Sequence, residues 1–119
     1  MTRVLIAGSR DYPLLGLVSE YVRTLPEGTT LLCGMARGVD RVAYDTIASL
    51  TGVEVEEYFP DWERYGKRAG IVRNMEMVEH ADEVVCFWDG QSRGTKHTID
   101  LALAKGCPVT VYGPDGQEM

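Results

Sequence analysis

Leu31-Leu32-Cys33-Gly34-Met35-Ala36-Arg37-Gly38-Val39-Asp40 reads as the end of a buried strand, a tight glycine turn and the opening of a helix. Leu31, Leu32 and Cys33 form the apolar strand, and Gly34 and Gly38 permit backbone shapes and close approaches that a side chain would block. From Val39 onward Val42, Ala43, Thr46, Ile47 and Leu50 fall at helical spacing. A strand that feeds a helix through glycines leaves unpaired N–H groups pointing outward, which is the geometry of an anion site. Arg37 adds a positive charge inside the turn.

The rest of the chain repeats this arrangement. Arg3 to Ala7 is a continuous apolar strand ending at Gly8-Ser9-Arg10-Asp11, with a helix expected to begin near Asp11 and to carry Leu14, Val18, Tyr21, Val22 and Leu25 on one face. Val53 to Phe59 starts by alternating apolar and acidic residues, so one of its faces meets solvent. A longer connection, Pro60 to Gly70, is aromatic, basic and without clear periodicity. A helix is then expected to open around Val72-Arg73-Asn74, with Ile71, Met75, Val78 and Ala81 as its apolar positions. Glu83 to Trp88 is another apolar strand, and Asp89 to Thr95 leads from it into a helix carrying Ile99, Ala102 and Leu103. The last strand is Cys107 to Tyr112, and a polar tail begins at about residue 113.

Five alternations of strand and helix call for a parallel sheet covered on both faces. Strands one, two and four are unbroken apolar runs, as burial on both faces demands, whereas three and five alternate and belong at the edges. The simplest right-handed solution is the order 3-2-1-4-5, an α/β, Rossmann-like three-layer sandwich whose switch point lies between strands one and four. Ligands of such sheets bind at that point, outside the carboxyl ends of the strands. No composition shift marks a boundary, so one domain is expected over residues 1–119.

Composition narrows the function. At 119 residues with 45% hydrophobic content, the chain can build a core without metal or disulfide staples. No apolar run reaches the roughly 20 residues that span a bilayer, and Met1-Thr2-Arg3 enters a strand directly, leaving no room for a signal peptide. Cys33, Cys86 and Cys107 show no metal or redox spacing, so a reduced, cytoplasmic protein without metal or cofactor is expected. The net charge of −6 argues against a general nucleic-acid surface. It leaves room for a small anion in a cleft where basic residues gather.

The four loops expected at the ligand edge each carry an arginine: Arg10, Arg37, Arg73 and Arg93, with Lys96 close behind. Guanidinium forks match phosphate, and the glycine turns supply backbone donors. Ser9, Ser92 and Thr95 suit both phosphate binding and helix capping, roles that coexist at a helix N-terminus. Asp40 and Asp11 fit helix starts, or for Asp40 an orienter of Arg37, better than catalysis. Trp62 and Tyr65 are open to two readings, stacking on a base or packing over the sheet edge. His97 reads as a surface residue and His80 as a plain helix residue. The chain has no nucleophile elbow, no Walker A motif and no G-x-G-x-x-G after its first strand, so an NAD-dependent dehydrogenase is not expected.

Taken in order, Gly8-Ser9-Arg10, Gly34-x-Ala36-Arg37-Gly38-Val39-Asp40, Ala69-Gly70-x-x-Arg73-Asn74-x-x-Met77, Ala81-Asp82 and Trp88-x-Gly90-x-Ser92-x-Gly94-Thr95 resemble the small bacterial and phage proteins of the YspA-type (YpsA-related) branch of the SLOG superfamily. The resemblance runs from Val4 to about Tyr112. It implies a domain that senses or processes nucleotides or nucleotide-derived, ADP-ribose-like signals, in a family whose members often form homodimers through their helices. Gly8, Ser9 and Arg10 would contact one side of the ligand and Gly34, Ala36, Arg37 and Gly38 the other. Gly90, Ser92, Gly94 and Thr95 would present donors at the last helix, and Arg73 and Asn74 would close the site. The LOG phosphoribohydrolases of the superfamily cleave the N-glycosidic bond of nucleoside monophosphates with a Glu in P-G-G-x-G-T-x-x-E. Here Thr98 stands at the Glu position and no proline precedes Gly90, so the cradle is kept and the catalytic carboxylate is missing. A hydrolytic alternative would draw on Asp11, Asp40 or Asp89. DNA-processing proteins, another branch, bind single-stranded DNA, a role against which the acidic charge argues.

Overall fold

The computed structural model describes residues 2–119. Five strands, β1 (Arg3–Gly8), β2 (Thr30–Cys33), β3 (Glu54–Glu57), β4 (Glu83–Phe87) and β5 (Val109–Tyr112), form one parallel sheet in the order β3-β2-β1-β4-β5. The expected α/β architecture and strand order are those observed. Successive side chains on a strand point to opposite faces, and this alternation divides the core. Val4, Ile6, Leu31, Val85 and Phe87 pack under α1 (Leu15–Arg23) and α2 (Val39–Ile47). Leu5, Ala7, Leu32, Val84 and Cys86 pack under α4 (Ala69–His80) and α5 (Arg93–Lys105). Burial pushes the Cys33 and Cys86 thiols up to about 12, so both are inert core side chains.

Beyond shifts of a residue or two at strand ends and an exposed Leu103 on α5, the elements depart from the sequence reading in the following places. Helix α1 starts at Leu15 rather than near Asp11, and Leu14 is exposed. Tyr12 instead plunges into the core, edge-on to Phe87 with ring centroids 5.6 Å apart, and its hydroxyl donates to the Gly113 carbonyl at 2.7 Å. Pro13 disfavours helical geometry at Tyr12, which frees that residue for this anchoring role. Helix α4 opens at Ala69, after the short α3 (Trp62–Tyr65) and a 3-10 turn (Gly66–Arg68). Its inward stripe runs through Ala69, Arg73 and Met77, so Ile71 and Met75, expected in the core, face outward. Strand β5 starts at Val109, two residues after Cys107.

The polar tail departs from the sequence reading as well. It doubles back on the edge strand: Tyr112 bridges Glu118 antiparallel, the Met119 N–H donates to Val111 at 2.8 Å, and Gly113 N–H to Gln117 at 2.9 Å. The bridge covers part of an edge that would otherwise present unpaired backbone groups.

Helices α4 and α5 are locked by one cation. Lys105 Nζ, in the last turn of α5, donates at 2.8 Å to each of the carbonyls of Val78, Glu79 and Ala81, where α4 ends. Those carbonyls carry the negative end of the helix dipole, and of the three only that of Val78 also accepts a backbone N–H at the helix end, from Ala81. Lys105→Met is expected to lower stability by about 1–2 kcal/mol, the worth of charge-assisted bonds at a helix C-terminus. Urea unfolding of the two proteins measures it.

Candidate functional site

The carboxyl ends of β1 and β4 open into a cleft of about 460 Å³, within the range of about 300–1,000 Å³ typical of small-molecule sites. It lies where the chain leaves the sheet in opposite directions, at the expected switch point. Ala7, Gly8, Arg10 and Asp11 line it from the end of β1. Ala36 and Asp40 enter from the β2–α2 turn, and Arg73, Asn74 and Met77 from α4. Asp89, Gln91, Ser92, Gly94, Thr95 and Thr98 complete the lining from the β4–α5 connection.

The floor is built by polar ties between loops. Ser9 is buried; its N–H donates to Phe87 O at 3.0 Å and its Oγ accepts the Asp89 N–H at 3.1 Å, so it joins the β1 and β4 exits from behind the lining. Asp89 Oδ1 accepts the N–H groups of Gln91 at 2.9 Å and Ser92 at 2.8 Å, which holds its carboxyl below the usual carboxylate range. Its carboxylate shapes the loop. Ser92 then caps α5: its Oγ accepts the Thr95 N–H at 3.4 Å and lies 3.2 Å from Thr95 Oγ1. The N–H groups of Arg93 and Gly94, the first two of α5, have no partner among the described residues. Thr98 Oγ1 donates back to Gly94 O at 3.2 Å.

The glycines of the loops divide by cause. A Cβ on Gly8 would sit 2.6 Å from both the Phe87 carbonyl and Val39 Cγ2, and one on Gly38 (φ +73°) would overlap the Arg10 carbonyl. Both positions are demanded by the fold, because the β1 exit crosses directly over the β2–α2 turn. Gly94 differs. It lies inside a helix, at an ordinary φ, and a Cβ there would meet nothing within 4 Å.

The charges converge on the opposite wall. Arg73 Nη1 donates to Gly34 O at 2.8 Å and its Nε to Asn74 Oδ1 at 3.2 Å, which lays the guanidinium along the cleft. Desolvation lowers its pKa from the usual arginine value. Asp40 is only 6% exposed, and burial pushes its carboxyl up to about 6 against the opposing pull of the Ala36 N–H, Arg73 and Arg10. Its Oδ2 accepts the Ala36 N–H at 3.2 Å, a contact that depends on Met35 adopting φ +61° in the turn. Of the two roles expected for Asp40, it takes the helix-start position, in the first turn of α2, and its carboxylate holds the turn backbone rather than orienting Arg37.

The cleft thus gathers Gly8, Arg10, Ala36, Arg73, Asn74, Ser92, Gly94 and Thr95 of the expected binding residues, and all three candidate carboxylates, Asp11, Asp40 and Asp89. Ser9, Gly34, Gly38 and Gly90 stand outside the lining as supports, Gly90 with φ +85°. Arg37 is exposed on its turn and does not reach the cleft. Gln91 and Met77 line it unforeseen; both lie within the quoted motifs, but a loop amide and a helical methionine carry no chemical signature of their own. Trp62, 60% exposed, does not pack over the sheet edge, and Tyr65 lies under the Arg64 guanidinium at 5.2 Å. His97 is half-buried, with Nδ1 unpartnered.

A parallel 3-2-1-4-5 sheet with a polar cleft at its switch point defines a Rossmann-like α/β protein. Within that class the chain belongs to the family of the Gene 61 protein of Mycobacterium phage D29, to which it is 36% identical over 122 residues, covering 95% of this chain and 98% of that one. No protein-family model matches. Among solved structures, DNA processing protein A from Helicobacter pylori, studied for its single-stranded DNA binding mode, superposes with a TM-score of 0.65 at 20% identity. The match covers 93% of this chain and 65% of that one, and it establishes a shared fold. None of the helices over residues 2–119 is long and apolar enough to cross a membrane.

Proposed function

We propose that the protein binds a nucleotide or nucleotide-derived ligand by its phosphate, as a SLOG-type sensor domain. The observation that carries this reading is the convergence, in a protein of net charge −6, of Arg10, Arg73 and the open N–H groups of α5 on one cleft at the switch point. The phosphate sits at the start of α5, where Gly94 leaves room for it and the helix dipole favours it. Arg10 and Arg73 bracket its charge, and Asn74 closes the wall.

Calorimetry with a panel of nucleoside mono-, di- and triphosphates, ADP-ribose and ribose 5-phosphate tests the reading. At least one member is expected to bind, its parent nucleoside without phosphate is not, and Arg73→Met is expected to weaken binding about tenfold or more. A silent panel would sink the proposal. Assaying the same mixtures for free base separates binding from N-glycosidic hydrolysis, which would depend on the cleft carboxylates.

A single-stranded nucleic acid is the second reading. It is favoured by Phe59 and Trp62, 63% and 60% exposed, beside the exposed Arg64, Lys67 and Arg68, a pairing of aromatic and basic groups suited to stacking on bases. The fold shared with a single-stranded DNA-binding protein supports it too. A fluorescent oligonucleotide that bound with steep salt dependence, and lost binding on Trp62→Ala, would favour this reading.

A further inference from the structure

We infer that Asp40 reads the sugar of the ligand, and that the cleft takes a ribonucleotide bearing free ribose hydroxyls in preference to its deoxy counterpart. This rests on the phosphate-binding reading above and adds the identity of the group next to the phosphate.

Asp40 is a buried carboxylate in the lining of the cleft. Oδ2 is engaged by the Ala36 N–H, but no donor among the described residues reaches Oδ1, and neither Arg10 nor Arg73 forms an ion pair with it. Nor is Oδ1 among the buried atoms sealed off without a partner. A side chain this deeply buried has one open direction, the cleft that it lines. An ionised carboxylate oxygen open to the cleft is a strong acceptor for a donor that enters there.

The donor follows from the phosphate position. In a nucleoside 5′-phosphate the ribose is the group bonded next to the phosphate, so a residue in the same cleft as the anion site meets the sugar before the base. Vicinal hydroxyls are two neutral O–H donors, and an ionised carboxylate accepts without donating. Arg10 and Arg73 stand close enough to favour the ionised form without occupying it. The same geometry disfavours a second phosphate at this wall, because two anions would share a buried site.

The test compares ribonucleoside 5′-monophosphates with their 2′-deoxy and 3′-deoxy counterparts by calorimetry at pH 7.5, with ribose 5-phosphate as a base-free probe. Ribonucleotides are expected to bind about ten- to a hundredfold more tightly than the deoxy forms, the range spanned by a hydrogen bond to a charged acceptor. Ribose 5-phosphate retains measurable binding, which separates a sugar hydroxyl from a base amino group as the donor. In Asp40→Asn the preference should fall to within about twofold while phosphate dependence persists. Equal affinity of the ribo and deoxy forms in the native protein overturns the inference and leaves phosphate binding standing. Binding of neither removes both.

Discussion

Gly38→Ala is expected to destabilise the protein by at least about 3 kcal/mol, whereas Gly94→Ala should leave stability unchanged or slightly raised and weaken ligand binding tenfold or more. The two residues belong to the same kind of motif, a glycine near the start of a helix that follows a strand, yet their environments are opposite. Gly38 holds φ +73°, and a methyl group there would overlap the Arg10 carbonyl, a backbone atom pinned by the crossing of two loops. Strain from the left-handed conformation and from the overlap act together, and relief requires moving the β1 exit. Gly94 has ordinary helical geometry and open space, so alanine gains helix propensity of up to about 0.5 kcal/mol in the first turn. The methyl group would then occupy the approach to the unpartnered N–H groups of α5. Urea denaturation and calorimetry on both variants separate the effects. Loss of stability without loss of affinity in Gly94→Ala would show that this glycine serves the helix and not a ligand.

That contrast also marks where sequence reasoning stops. Strand order was legible because Val4-Leu5-Ile6-Ala7, Leu31-Leu32-Cys33 and Val84-Val85-Cys86-Phe87 are apolar at every position, which only strands buried on both faces tolerate. The place of the cleft followed from that order. The inward face of α4 did not, because its stripe contains Arg73, a charged residue that periodicity assigns to solvent. Its place at the ligand edge was expected, but its bond to Gly34 O, which turns this face of the helix inward, was not. Arg37 misleads in the opposite sense: it sits in the most recognisable motif of the chain but stands on the outside of the turn. The partner of Asp40 was hidden as well, since the bond to Ala36 depends on a positive φ at Met35 that no residue preference would suggest.

Asp40→Asn is expected to make the protein more stable at pH 7.5 and less selective for its ligand. The carboxyl is pushed from 3.8 up to about 6, chiefly by burial, so its charged form is disfavoured in the folded state. Because the folded pKa is the higher one, the stabilising linkage is fully present below pH 3.8, where the group is protonated whether folded or unfolded. It is lost as pH rises through about 6. Above that, the folded protein carries an ionised buried carboxylate at a cost of at most about 3 kcal/mol, given about 1.4 kcal/mol per pKa unit. Asparagine keeps an oxygen for the Ala36 N–H and carries no charge at any pH. The gap between the variants should therefore be nearly zero below pH 3.8, reach about half its full size near pH 5, and level off above pH 6 at about 1–2 kcal/mol, a value below the ceiling because the cleft admits water. The groups facing Asp40 are Arg73 from α4, Arg10 from the β1 exit, Cys33 from β2 and Cys86 from β4. A guanidinium carries its charge at every working pH, and burial pushes both thiols up to about 12. Urea melts at pH 3.5, 4.5, 5.5 and 7.5 check the trend, with the ribose preference measured alongside and expected to fade as the carboxylate is protonated. A uniform loss of stability at every pH would instead make Asp40 a purely structural clamp on its turn. A charge kept at a cost to stability, in a buried side chain that lines the cleft with one acceptor open, is what a binding residue requires and a structural one does not.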